Sequence, residues 1–241
     1  MISIQASVSK GWLNRYGGFV FDSAYFLDPF HRMKQDEACH DFIRDRFPDI
    51  PIYNMEDNLV QAGYVVPNMM LVGAIQPNMI IAAALGAEFV FASDKDSDVK
   101  GFPLKDINDP SELPSVADTT KLPFIKSLGE QFVEAKNRYP DYRIIPPFFW
   151  DTSGRATIHG IVTTSLKFIG QDILTLMMMK PELVKSIHDW ITEVYIHVIG
   201  YFSELGNIPV TSVHVGECSG TMLDNYTYME FVKLPLYTRR T

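Results

Sequence analysis

The feature that most constrains the fold runs from Pro181 to Gly220. Pro181 sits where a first helical turn tolerates proline, and Leu183, Ile187, Ile191, Val194, Val198 and Tyr201 follow at intervals of three or four. Gly206 closes that helix, Val210 to Gly216 reads as a strand, and the strand ends in Glu217-Cys218-Ser219-Gly220. The same grammar occurs upstream. A buried helix, Met79 to Leu85 with Pro77 in its first turn, is closed by Gly86, and the strand Glu88–Ala92 then ends at Ser93-Asp94-Lys95-Asp96. A helix over Pro123–Asn137 presents Phe124, Ile125, Leu128, Phe132 and Val133 on one face. The strand Arg143–Trp150 follows, ending irregularly through Pro146 and Pro147 at Asp151. Ala156–Phe168 and Gln171–Met179 read as further helices, and Asp224–Leu234 as a last one broken by Pro235. Helices alternating with short strands predict an α/β fold with parallel strands, whose chemistry gathers at the strands' carboxyl ends.

The flanking regions are less regular. Residues 1–65 read as an amino-terminal arm, with a short helix from Glu37 to Phe47 stopped by Pro48 and an aromatic run, Gly17 to Phe26, packed under the arm. Residues 97–121, rich in Asp and Ser, with Pro103, Pro110 and Pro114, read as a surface loop. The barrel-like domain is expected over residues 66–241.

With 46% hydrophobic and 21% charged residues, the composition is that of a globular protein. Asn78, Glu88 and Lys167 interrupt the apolar runs before any reaches the roughly 18 residues of a membrane span. The start has no basic region followed by an apolar core, and two cysteines are too few for a disulfide framework, so a cytoplasmic location is expected. A formal net charge of −8 argues against a nucleic-acid partner. It leaves room for a small anionic ligand, which responds to local charge.

Three strand ends carry candidate site residues. Asp94 and Asp96 form a carboxylate pair able to hold a cation or pyrrole-type N–H groups; the plainer reading is a solvated loop. Asp151 and Arg155, four residues apart, suit an anionic group, or else a helix cap with a salt-bridged arginine, and His159 reads as a helix-face residue. His214, Glu217 and Cys218 line a strand end, where His214 and Cys218 offer two zinc donors; the alternative is a packed histidine. Alternation puts His214 and Gly216 on one side of their strand and Val213 and Val215 on the other. Cys39, His40 and His31 match no zinc spacing, Met177–Met179 reads as core or helix surface, and Gly17-Gly18 lacks the context of a nucleotide loop.

Leu85-Gly86-Ala87-Glu88-Phe89-Val90-Phe91-Ala92-Ser93-Asp94, the Gly160–Thr164 and Met177–Val184 pair, and Gly216–Met222 followed by Tyr228–Pro235 resemble the uroporphyrinogen decarboxylase superfamily. The likeness spans about residues 68–240. It includes a strand ending in a substrate-facing aspartate and a "Tyr-x-x-Phe-x-x-Pro" helix. The resemblance implies a (β/α)8 TIM-barrel type fold with one deep pocket. It implies one of two activities: decarboxylation of a carboxylated tetrapyrrole, or zinc-dependent methyl transfer between a corrinoid protein and a small thiol such as coenzyme M. The decarboxylases carry an arginine-rich loop near the amino terminus. Trp12–Gly18 echoes it with Arg15 alone, and one arginine does not neutralise many carboxylates.

Methyl transfer is therefore the expected activity. Asp94, His214 and Cys218 are its candidate catalytic residues, Asp151, Arg155 and Glu217 bind substrate, and His214 and Cys218 are metal ligands. A barrel of eight strands takes about 250 residues. The chain beyond the arm suffices for five or six strands, so an incomplete barrel is expected, finished by further sequence or by another chain in a homo- or hetero-oligomer. A non-catalytic subunit that binds a partner chain is the remaining alternative.

Overall fold

The computed structural model describes residues 6–49, 52–53 and 68–233. Three capped helices build the arm. Ser9 accepts the Trp12 amide at the start of α1 (Lys10–Gly17), and Gly18, at φ 72°, closes it. Asp22 accepts the amides of Ala24 and Tyr25 to start α2 (Ser23–Leu27). Asp28 accepts those of Phe30 and His31 to start α3 (Pro29–Arg46), with Pro29 in the first turn. The arm is thus helical where an irregular segment was expected, and α3 begins well before Glu37. Its inward face explains why the pattern was hidden: Arg32 is buried there beside Met33, Cys39 and Ile43, so the period is partly written in a charged residue. Two short strands, β1 (Ala6–Ser7) and β2 (Ile52–Tyr53), pair in parallel.

After the arm, β3 (Met69–Leu71) leads into α4 (Pro77–Ala84), whose Pro77, Met79, Ile80, Ile81 and Ala82 are all buried. The next strand, β4 (Glu88–Val90), differs from expectation: it pairs antiparallel with β5 (Asp98–Lys100) as a hairpin. The connection, residues 91–97, is too short for the helical crossover a parallel pair needs. The proline-rich stretch contains β5 and two 3₁₀ turns, Pro110–Glu112 and Val116–Lys121, where a plain loop was expected. α5 (Pro123–Arg138) buries Ile125, Leu128 and Phe132 but leaves Val133 exposed. It feeds β6 (Arg143–Ile145), which pairs in parallel with β3.

The second difference falls at Ala156. Residues expected to begin a helix instead form a strand, β7 (Arg155–His159), and the helix α6 (Ile161–Phe168) starts after Gly160. The β-branched pair Thr157-Ile158 suits the strand, and Gly160 separates the two periods. α7 (Asp172–Met179) and α8 (Pro181–Gly206) follow, the latter closed by Asn207 in the left-handed region. The indole N–H of Trp190 on α8 donates to the Pro114 carbonyl at 2.6 Å and fastens the proline-rich segment to this helix. β8 (Ser212–Gly216) then pairs in parallel with β7. Asp224 caps α9 (Asn225–Tyr228), which continues as a π-turn over Met229–Lys233; the expected stop at Pro235 lies outside the described residues.

The architecture is mixed α/β. Among the described residues the strands form four two-stranded pairs and no closed barrel. One apolar cluster joins Leu13, Phe21 and Tyr25 of the arm to Ile80, Ile125, Ile145, Val162, Ile187 and Phe202. Each such side chain contributes about 1.5–3 kcal/mol by leaving water. Met177 belongs to this core, while Met178 and Met179 face outward. Among the described residues no helix is long and apolar enough to cross a membrane.

Candidate functional site

The register of β7 and β8 sets Arg155 opposite Ser212, Thr157 opposite His214, and His159 opposite Gly216. Side chains alternate along a strand, and paired residues project from the same face. One face of the ladder therefore carries Arg155, Thr157, His159, Ser212 and His214, and the other carries Ala156, Ile158, Val213 and Val215. Trp150 confirms the assignment. The chain folds back after Pro146, so that the Trp150 amide donates to the Arg155 carbonyl at 2.8 Å and the Thr157 amide donates to the Phe148 carbonyl at 2.8 Å. The Trp150 ring then meets the Arg155 guanidinium at 4.5 Å and the edge of His214 at 5.0 Å. Phe148 holds this reversal with φ at 66°, a conformation that non-glycine residues rarely adopt. Behind Thr157 a cavity of about 20 Å³ is walled by Leu71 to Ile75 and Pro146 to Phe149, at the carboxyl ends of β3 and β6. That is room for one water.

His159 ends β7 at the rim of this face. Its Nδ1 is buried without a hydrogen-bond partner among the described residues. Burial, reinforced by the nearby Lys167 and His214, holds its pKa below the ordinary value. Gly216 leaves the space opposite open: a Cβ added there would meet nothing closer than the Ile158 carbonyl oxygen at 3.9 Å.

Glu217 has a different task from the one expected. Its carboxylate accepts the amides of Val162 and Thr163, each at 3.0 Å, and the Thr163 hydroxyl at 2.6 Å. It caps α6 from a neighbouring segment and places negative charge at the helix amino terminus. Gly160 makes this possible, since a Cβ there would stand 2.0 Å from Glu217 Oε2. Asp151 also serves its own turn, accepting from the amide and hydroxyl of Ser153.

Asp94 lies in the β4–β5 hairpin, exposed, beside Ser93, whose carbonyl accepts the Phe21 amide. Its neighbour Asp96 pairs with Lys10 Nζ at 2.7 Å. These contacts tie the hairpin to the arm, and among the described residues no hydrogen bond or ion pair joins Asp94 to the ladder. Cys218 is exposed in the turn after Glu217. Among the described residues no three His, Cys, Asp or Glu side chains gather to hold a metal ion.

Of the residues singled out in the sequence, Arg155 and His214 meet at Trp150, with Asp151 adjacent in the chain. His159 and Trp150 were not recognised as site residues. The signal for His159 was the run Thr157-Ile158-His159-Gly160, β-branched residues followed by a glycine and then a helical period. The segment Val213–Gly216 has the same form. The chain matches no protein-family model and no curated protein.

A second polar cluster lies under the arm. Arg32 donates to the Ala74 carbonyl at 2.8 Å, pairs with Asp36 at 3.4 Å and lies 4.7 Å from the Tyr25 ring, whose hydroxyl donates to Asp36 at 2.9 Å. Cys39 belongs to this neighbourhood, and burial pushes its thiol up to about 12. A thiol held protonated in this way is a poor nucleophile.

Proposed function

We propose that the chain forms part of a (β/α)8-type barrel of the uroporphyrinogen decarboxylase superfamily. In this reading the polar face of β7 and β8 lines its substrate cavity, and the activity is methyl transfer between a corrinoid protein and a small thiol. The observation that carries the reading is the parallel β7–β8 ladder, which gathers Arg155, Thr157, His159 and His214 on one face with Trp150 as an apolar wall. The parallel β3–β6 pair, its strand ends beside Thr157, supports the same architecture.

These side chains bind and orient. Thr157 and the two imidazoles offer hydrogen bonds, and the indole excludes water from one flank. Zinc would make a bound thiol a better nucleophile. His214 and Cys218 are two donors, fewer than the three or four protein ligands of a zinc site, so the described residues do not fit the metal and no step is assigned to it. A single arginine on the face gives decarboxylation of a polycarboxylated tetrapyrrole little support. The valines of β8, with Val213 46% and Val215 38% exposed, suit contact with a further element or chain, the corrinoid protein among the candidates.

The test is demethylation of methylcobalamin in the presence of small thiols, followed by absorbance. Turnover that falls about 100-fold or more in both His159→Ala and His214→Ala is expected. A folded protein that transfers no methyl group, or that instead decarboxylates a porphyrinogen, overturns the reading. A stable hetero-oligomer without turnover would replace it with a non-catalytic role.

A further inference from the structure

We propose that the polar face of β7 and β8 is a proton-linked binding site for a small oxyanion, with Arg155, His159 and His214 as its donors. The inference rests on the reading of this face as a substrate surface and adds the chemical class it recognises. The three side chains share one face of a rigid ladder. Arg155 lies over the Trp150 ring at 4.5 Å and makes no ion pair among the described residues, so its fork of N–H groups is positioned without being consumed. His214 is exposed and fixed edge-on to the same indole. His159 Nδ1 is buried and lacks an acceptor among the described residues. Gly216 keeps the space between the strand ends clear of a side chain.

Although the whole chain carries −8, the carboxylates nearest the face have partners of their own. Glu217 is committed to the α6 amides and the Thr163 hydroxyl, and Asp151 to Ser153. On α6 the charged residue is Lys167, paired with Asp98 at 2.6 Å. On α8, Tyr195 faces the ladder, its hydroxyl 3.0 Å from Thr164 Oγ1 and kept protonated by burial. α4 and the Pro146–Trp150 segment bring no charged side chain. Thus the groups free to answer an anion are a guanidinium and two imidazoles.

An imidazole that gains a hydrogen-bonded anion gains proton affinity, so binding takes up protons. Affinity is therefore greatest at low pH and falls as pH rises through the imidazole range. The lowered pKa of His159 in the free protein makes this uptake larger.

The experiment is calorimetric titration of the full chain with inorganic phosphate and with acetate, in bis-Tris or Tris chloride, with circular dichroism at each pH to verify the fold. Phosphate changes charge across this pH range whereas acetate stays largely a monoanion, so the two arms separate ligand titration from protein titration. Acetate affinity at about pH 5.5 at least fivefold above that at about pH 8 is expected. Arg155→Gln weakens binding about tenfold and Arg155→Lys less, while His159→Gln and His214→Gln each flatten the pH dependence. Binding that is absent, pH-independent for acetate, or unchanged in all these variants overturns the inference. Methyl transfer without anion binding sinks this inference alone. Anion binding without methyl transfer upholds it and sinks the functional reading.

Discussion

Arg32 and Arg155 each lie against an aromatic ring, yet the first is 2% exposed with a carbonyl and a carboxylate in reach, and the second is half-buried with no acid paired to it among the described residues. The arm brings its charges together beneath α3, where Asp36, Tyr25 and the Ala74 carbonyl surround the guanidinium. The β7–β8 ladder leaves Arg155 without an ion pair and His159 Nδ1 without a hydrogen-bond partner among the described residues. Charge that is buried and answered within the chain holds elements together. Charge that is oriented and left unanswered is available to something else. In the proposed reading, the same residue type thus marks scaffold in one region and recognition in the other.

The contrast can be broken by experiment. Arg32→Met should cost the most, about 3–5 kcal/mol in urea denaturation, because it leaves Asp36 under α3 without its guanidinium. A loss below about 1 kcal/mol would erase the distinction between the regions.

His188 provides the histidine counterpart. Its Nδ1 lies 3.0 Å from the Phe231 carbonyl, it is fully buried, and burial lowers its pKa from 6.5 to about 4. Folding keeps this imidazole neutral while the unfolded chain binds a proton below about pH 6.5. Its contribution is therefore whole above that pH and is lost as pH falls toward 4. At roughly 1.4 kcal/mol for each tenfold change in proton affinity, the loss approaches about 3 kcal/mol. Unfolding measured from pH 7 to about pH 4 should show it, and His188→Gln should flatten the curve.

Gly160→Ala should cost about 1–3 kcal/mol by expelling Glu217 from the α6 amides. Combined with Glu217→Ala, the two losses should fall short of their sum. Arg155→Gln should change stability by no more than about 1 kcal/mol, the scale of its contact with Trp150. A larger loss there would class the ladder with the arm.

Much of this was legible in the sequence where apolar spacing was clean. α4 with Gly86, α5, α8 and β8 all fall close to where their periods put them. The arm was not legible, because α3 turns Arg32 and Asp36 toward the protein and so lacks an apolar stripe, although its Asp28-Pro29 start was readable as a cap. β7 was obscured by its brevity: five residues run through Gly160 directly into a helix of similar composition. Asp94 was expected at the end of a strand reaching Ala92; β4 instead stops at Val90 and turns back as a hairpin, with Asp94 in the turn, and strand direction is not encoded in alternation alone. Glu217 looked like a ligand because the sequence gives no hint that the α6 amides stand beside it.

The bond from Glu217 to α6 has a consequence for the ladder. It laces the tip of β8 to the helix that follows β7, so the two strand tips cannot part without releasing the amide protons of Val162 and Thr163. Those two protons are thus natural reporters of breathing at the site. Their hydrogen–deuterium exchange should slow on ligand capture while protection elsewhere in the molecule stays constant.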